Sequence, residues 1–378
     1  MKLDEVLRVL RSVAPERLAE PWDKVGRQLG SPTQRVSGAM LCIDLTETVV
    51  AEAVKKKCEL IVSYHPPIFR PLEGLRDDGP WTQRRILAAA RAGLAVYSPH
   101  TALDAVRGGV CDWLCGRIGP GSSAPIRPAS AERDAFKVVV FVPEADEAAV
   151  RSAMAAAGAG GIGNYRECSF SIPGAGGFRP VEGANPAIGE VGKREEVAER
   201  RLEMLVPGPR LAEVLGELRR AHSYEEPAFD VLRLEPEPAA AEQAAGAGRV
   251  LTLDRGVTPD ALATSFDGLP EAAVKLGHRG VKRVRTVAVC PGAGGSLFEE
   301  VEASGGGGVD AYVTGEMQHH QALDLVQRGR VVVLLGHTAS ERPYLPVYRD
   351  RLRRAEGGSV KWSVSRADRA PLVWRGRG

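Results

Sequence analysis

The stretch Gly119–Arg133 reads GPGSSAPIRPASAER. It is rich in Gly, Pro, Ser and Ala and carries no apolar period, which is the composition of a linker. Glu235–Gly248, EPEPAAAEQAAGAG, has the same character. About 100 residues lie between the two. They read as strand Phe136–Val142 (FKVVVFV), an Ala-rich helix Ala145–Ala157, a short strand Cys168–Ile172, strand Glu199–Val206 (ERRLEMLV), helix Arg210–Ala221 and strand Ala228–Leu234 (AFDVLRL). This βαββαβ order is the ferredoxin-like pattern. The Gly-rich region 158–192 reads as a long excursion between the two central strands.

Outside the linkers, strand and helix signals alternate, which argues for α/β layers with helices on a sheet. The expected fold class is therefore α/β, a layered core interrupted by a ferredoxin-like insert. The expected parts are residues 1–126 and 247–378 for the core and 134–235 for the insert.

Composition narrows the function. The chain has 378 residues, 44% of them hydrophobic, enough to build real cores. Its 50 Lys and Arg against 48 Asp and Glu leave a net charge of +2, without the basic footprint of a nucleic-acid binder. No apolar run approaches the roughly 20 residues of a membrane span. The opening MKLDEVLRVL has no apolar h-region, and Leu3, Val6, Leu7 and Leu10 fall on one helical face, so it reads as an amphipathic helix. Six cysteines with no CxxC read as buried thiols in a reducing cytoplasm.

The core strands hand over to chemistry at their ends. Ala39–Ile43 ends at Asp44, and Leu60–Tyr64 ends at His65 in ELIVSYHPPIF. Leu94–Tyr97 runs into Ser98-Pro99-His100, with Asp104 four residues on. Thr286–Cys290 ends in PGAGGS, Ala311–Val313 in Thr314-Gly315-Glu316, and Val331–Leu335 in Gly336-His337, with Glu341 four residues on. Open α/β sheets bind ligands beyond the carboxyl ends of their strands. Three strands that each deliver a histidine, two of them with a carboxylate at i+4 on a shared helical face, point to a divalent-metal site. Imidazole with carboxylate suits zinc, manganese or iron, and the lack of thiolates argues against a closed structural zinc site. The glycine turn PGAGGS, opening a helix, offers backbone N–H groups to an anion but lacks the Lys-Ser/Thr of a Walker motif. Glu316, just past another strand end, reads as a support for a metal ligand or a contact to substrate or water, against an ordinary polar surface residue. His222 and His278 fall outside this pattern.

The segments LCIDLTETVVAEAV, IVSYHPPIFRPL, VYSPHTALD, VAVCPGAGGSLFEE, DAYVTGEMQHHQALD and LGHTASERP, taken in order, resemble the Nif-three-like family. Its members are known as dinuclear-metal-centre hexameric proteins or GTP cyclohydrolase 1 type 2 homologues. GIGNYRECSFSIPGAGGFRP, ANPAIGEVG and HSYEEPAFDV resemble the CutA-like/PII-like insert of longer bacterial members. The resemblance implies an α/β core duplicated around the metals and a hexameric ring. It implies one metal on His65, Asp104 and Glu341, and a second on His337 with Glu341 bridging. One residue departs from the commoner family pattern: Tyr64 stands where a second adjacent histidine is usual. A phenol with a reference pKa of about 10 is a poor ligand, so the resemblance implies one or two divalent ions.

Two functions follow. The first is a metal-dependent hydrolase of a nucleotide or other phosphorylated small molecule, with His100 as proton shuttle or partner of a metal ligand and Glu316 as a contact to substrate or water. The second is a non-enzymatic, metal-loaded ring that senses a small molecule through its insert. Both expect a cytoplasmic homo-oligomer, without a membrane or nucleic-acid partner.

Overall fold

The computed structural model describes residues 1–129, 135–163, 165–234, 245–271, 273–305 and 308–372. Chain contacts divide it into two units, Met1–Ala129 with Ala240–Gly378, and Ser130–Ala239. The first unit opens with strands β1 (Gly26–Leu29), β2 (Gly38–Cys42), β3 (Leu60–Ser63), β4 (Ala95–Ser98), β5 (Gly121–Ala124) and β6 (Arg127–Pro128). The second supplies β7 (Ala135–Pro143), β8 (Ser169–Phe178), β9 (Glu195–Pro207) and β10 (Phe229–Leu234). The chain returns to the first unit with β11 (Gly246–Ala247), β12 (Arg249–Val257), β13 (Lys275–Gly277), β14 (Val284–Ala293), β15 (Ala311–Glu316), β16 (Val331–Leu334) and β17 (Lys361–Val364).

The first unit holds two layered sheets. One has the order β1-β4-β3-β2-β17, with β4, β3, β2 and β17 parallel. Successive side chains point to opposite faces of a strand, so each strand divides its apolar run between two cores. Leu41, Val62 and Tyr97 pack with Leu7 and Leu10 of helix Leu3–Val13 and with Tyr348 and Leu352 of helix Leu345–Glu356. Met40, Ile61 and Val96 pack with Val49 and Val50 of helix Glu47–Lys55 and with Ile86 of helix Trp81–Arg91. Burial on both faces is why these strands read as unbroken apolar runs.

The other sheet has the order β13-β16-β15-β14-β12-β5, with β16, β15 and β14 parallel. Val287, Val289, Val313 and Val333 pack with Leu114, Leu262 and Phe266 on one side. Ala288, Tyr312 and Val332 pack with Phe298 and Leu325 on the other.

The first linker reading is corrected here. Gly121–Ala124 pairs with β12 as an edge strand, and all four residues are exposed, so no apolar period marks it. Arg127–Pro128 pairs with Gly246–Ala247, which brings the chain's departure and return side by side. The remaining linker residues, 130–134 and 235–244, lie outside the described residues.

The second unit has the antiparallel order β10-β7-β9-β8, the ferredoxin-like arrangement. Helices Glu147–Ala156 and Leu211–Ala221 cover one face through Val150, Met154, Val214 and Leu218. β8 is longer than its apolar residues suggest and runs through IPGAGGF to Phe178. β9 holds it backbone to backbone as far as Phe178 opposite Glu195, a pairing that needs no side chains. No helix among the described residues is long and apolar enough to cross a membrane.

Candidate metal centre

The parallel strands of both sheets deliver their carboxyl ends to one place. β2 leads to Asp44, β3 to His65 and β4 to His100, while β14 ends around Gly292, β15 at Glu316, and β16 leads to His337. The His65 and His337 rings stand 5.4 Å apart between centroids, as do those of His65 and His100.

A carboxylate holds each imidazole by Nδ1. Asp44 Oδ1 lies 3.0 Å from His65 Nδ1, Glu316 Oε1 lies 3.0 Å from His337 Nδ1, and Asp23 Oδ1 lies 2.7 Å from His100 Nδ1. Such a partner fixes the ring and leaves Nε2 as the nitrogen that faces the other side chains. The Nε2 atoms of His65 and His337 lie 3.4 Å and 3.5 Å from the two oxygens of Glu341. Glu341 is 3% exposed, and its Oε2 accepts no hydrogen bond. Ligand atoms of His65, His337 and Glu341 all fall within 4.8 Å of one another. Two imidazole nitrogens around a buried carboxylate fit zinc, manganese or iron.

The electrostatics ask for a cation. Burial disfavours charge on His65, yet its hydrogen bond to Asp44 and its close ionic contact with Glu341 outweigh burial and raise its pKa to about 10. Burial pushes Asp104 up to about 8, and the charge of Glu341 adds to the rise against the pull of Tyr64 and His65. Both shifts mark a crowd of carboxylates short of positive charge.

The other expected residues occupy distinct places. Asp104 lines the same cavity as His65, His100, His337 and Glu341, but it lies outside the trio that closes within 4.8 Å. Its Oδ1 accepts a 2.5 Å hydrogen bond from the Tyr64 hydroxyl. Burial, then the charges of Asp104 and Glu341, push the Tyr64 pKa well up, so the phenol keeps its proton and acts as a donor. Glu316 is engaged with His337 through its Oε1. His100 opens helix His100–Ala105 at a φ of +31°, a region that costs a non-glycine residue of order 1–3 kcal/mol. Asp23 offsets that strain by holding both the His100 ring and the Thr101 hydroxyl.

Two local expectations change. His337 and Glu341 do not share an α-helix, because Thr338–Ser340 is a single 3-10 turn. Pro343 lacks the N–H that an α-helix through this stretch would use. Two N–H groups of the PGAGGS turn are committed inward: Gly292 donates to Ser340 Oγ at 2.9 Å and Gly294 to Thr314 Oγ1 at 3.0 Å. Gly292 sits at a φ of +60°, and a Cβ there would lie 2.6 Å from Glu341 Oε1 and 3.3 Å from His337 Nε2. The turn packs against the ligand cluster itself.

The cavity measures about 460 Å³. Trp22 and Phe69 stand 55% and 45% exposed among its lining residues, with ring centroids 6.1 Å apart. Arg127 is held between Glu20 and Glu300 at 2.7 Å each. Asp44 could have been chosen from its position after β2. Asp23, in an irregular loop, carries no sequence signal.

The sequence profile of Duf34/NIF3 (NGG1p interacting factor 3) matches residues 1–371. The chain belongs to the Duf34/NIF3 family. Among Duf34/NIF3 relatives, the Mycobacterium tuberculosis "GTP cyclohydrolase 1 type 2 homolog" is 36% identical over 370 residues, covering 95% of this chain and 93% of the relative. Human "NIF3-like protein 1" is 34% identical over 391 residues, covering 98% and 92%. A Bacillus cereus protein related to NIF3 has a crystal structure that superposes with a TM-score of 0.62 at 30% identity, covering 99% of both chains.

Proposed function

We propose that this chain is a divalent-metal-dependent hydrolase acting on a nucleotide or other phosphorylated small molecule. The observation that carries the reading is Glu341: a buried carboxylate with an unbonded oxygen, faced by two imidazole Nε2 atoms whose rings are each fixed by another carboxylate. His65, His337 and Glu341 would hold the ion, with Asp104 as a further ligand once its oxygen is released by Tyr64. A bound divalent ion supplies Lewis acidity to a substrate oxygen and lowers the pKa of bound water to about 7. His100, its Nδ1 anchored on Asp23, would take or return a proton at Nε2. Glu316 keeps His337 in its liganding tautomer. Trp22 and Phe69 offer aromatic surface to a planar ring.

The family names of several relatives include GTP, which makes GTP and nucleoside monophosphates the first substrates to try. Hydrolysis that appears on loading with zinc, manganese or iron and vanishes in His337→Ala is the expected result. Full turnover after chelation and dialysis would overturn the reading. Family resemblance supports assembly as a homo-oligomeric ring, a hexamer, which light scattering on the eluting protein tests. The alternative of a metal-loaded ring that senses a ligand without turnover draws on one observation, a large cavity in the inserted unit.

A further inference from the structure

We infer that the inserted unit carries a small-molecule site of its own, for an organic cation with a flat, apolar body, between the open face of its sheet and the segment that follows β8.

The two helices cover only one face of the β10-β7-β9-β8 sheet. On the other face, Ile172, Gly174 and Gly176 of β8 pair with Arg201, Glu199 and Val197 of β9. Glycine is depleted in strands, and inside one it marks a bulge or a place where a ligand or another backbone comes close. No bulge interrupts this register. Among the described residues no other backbone approaches Gly174 either: a Cβ there would meet only the Glu199 carbonyl, at 3.9 Å. A Cβ on Gly176 would strike the Glu199 carboxylate. The glycines therefore clear a floor and let one carboxylate lie across it.

Above this floor is a cavity of about 700 Å³, within the roughly 300–1,000 Å³ of small-molecule sites. Phe141, Phe178 and Tyr224 give it aromatic walls, with the Phe178 and Tyr224 rings edge to face at 5.7 Å. Pro186 and Ile188 come from the segment after β8, which is tied down where the Asn185 N–H donates to Glu225 Oε2 at 2.8 Å.

Charge selects the ligand. The charged lining side chains are Arg179, Glu199, Arg201, Glu225 and Glu226. Among them Glu199 is the buried one, 9% exposed, and its Oε1 is oriented by a 2.9 Å hydrogen bond from the Tyr224 hydroxyl. Arg201 is engaged by Glu203 at 2.9 Å. The deepest charge is thus a fixed carboxylate beside aromatic rings, a setting that favours an ammonium or amidinium head on an apolar body.

Tryptamine and indole-3-propionate share a ring body and differ in the charge of the head, so titration calorimetry of the full chain with each tests the site. Tryptamine should saturate one site per chain, and the carboxylate should bind at least about tenfold more weakly. Glu199→Gln should cost tryptamine about tenfold, and Tyr224→Phe less. Gly174→Val suits a strand and fills the cavity, so it should abolish binding with unchanged metal content and melting temperature. Equal binding of the two probes, no saturable tryptamine binding, or binding that survives Gly174→Val would overturn the inference. So would a Gly174→Val chain whose oligomeric state changes, since the face would then belong to another copy. If Gly174→Val fails to fold, the Glu199→Gln comparison still decides.

Discussion

The hydroxyl of Tyr64 donates to Asp104 Oδ1 across the floor of the ligand cluster, 2.5 Å from oxygen to oxygen. The phenol keeps its proton because burial and two neighbouring carboxylates hold its pKa well up. An oxygen that accepts a hydrogen bond has less to give a metal. Metal content measured on protein prepared without chelator should be near one ion per chain, and it should rise in Tyr64→His, which supplies an imidazole and frees Asp104. An unchanged stoichiometry would show that Tyr64 does not limit the site.

Glu316 touches His337 and is not part of the ligand trio. Its role is to hold a ring, so Glu316→Gln should lower metal affinity by roughly 10–100-fold in chelator competition, as loss of such a carboxylate partner typically does. His337→Ala should abolish binding altogether. Equal affinity in Glu316→Gln and the parent chain would remove Glu316 from the centre.

Gly292 has no room for a methyl group. Gly292→Ala places a Cβ against Glu341 Oε1 and His337 Nε2 and adds about 1–2 kcal/mol of left-handed backbone strain. The variant should keep its circular dichroism, melt a few degrees lower and lose metal. Retained metal at parental affinity would contradict the close packing.

His65 gives the centre a proton signature. Its pKa of about 10 lies above the ordinary 6.5, so its contribution to metal-free stability is complete below about 6.5 and is lost as pH rises through about 10. At intermediate pH an incoming metal must displace that proton. Calorimetry at about pH 8 in two buffers of different ionisation enthalpy should register release of about one proton per metal bound. Zero release would place the proton elsewhere.

Much of this centre was legible in the chain because parallel strands buried on both faces read as apolar runs, and the residue after each run has no packing reason to be polar. His65 and His337 follow from that logic, and Asp44 was visible by the same route, whereas Glu341 was reached through a helical spacing that the structure replaces with a 3-10 turn. Asp23 was not, since a loop residue that reaches His100 across the fold leaves no periodic trace. Gly121–Ala124 was misread because an exposed edge strand needs only backbone partners. Likewise, β8 outruns its apolar residues because β9 supplies its hydrogen bonds. In the glycine turn, Gly292 and Gly294 give their N–H groups to Ser340 and Thr314, distant in sequence and invisible to a local reading.

β17 joins the first sheet beside β2, and just beyond it Asp368 accepts the Ile43 N–H at 2.7 Å, one residue before Asp44. The strand that ends at a partner of His65 is thus finished by a segment made more than 300 residues later. During synthesis, a nascent chain would present His65 and Asp44 long before the segment that fastens them exists. That fastening is therefore completed only after translation ends, and a chain cut short before Lys361 would lack the segment that latches Ile43 and Asp44 in place.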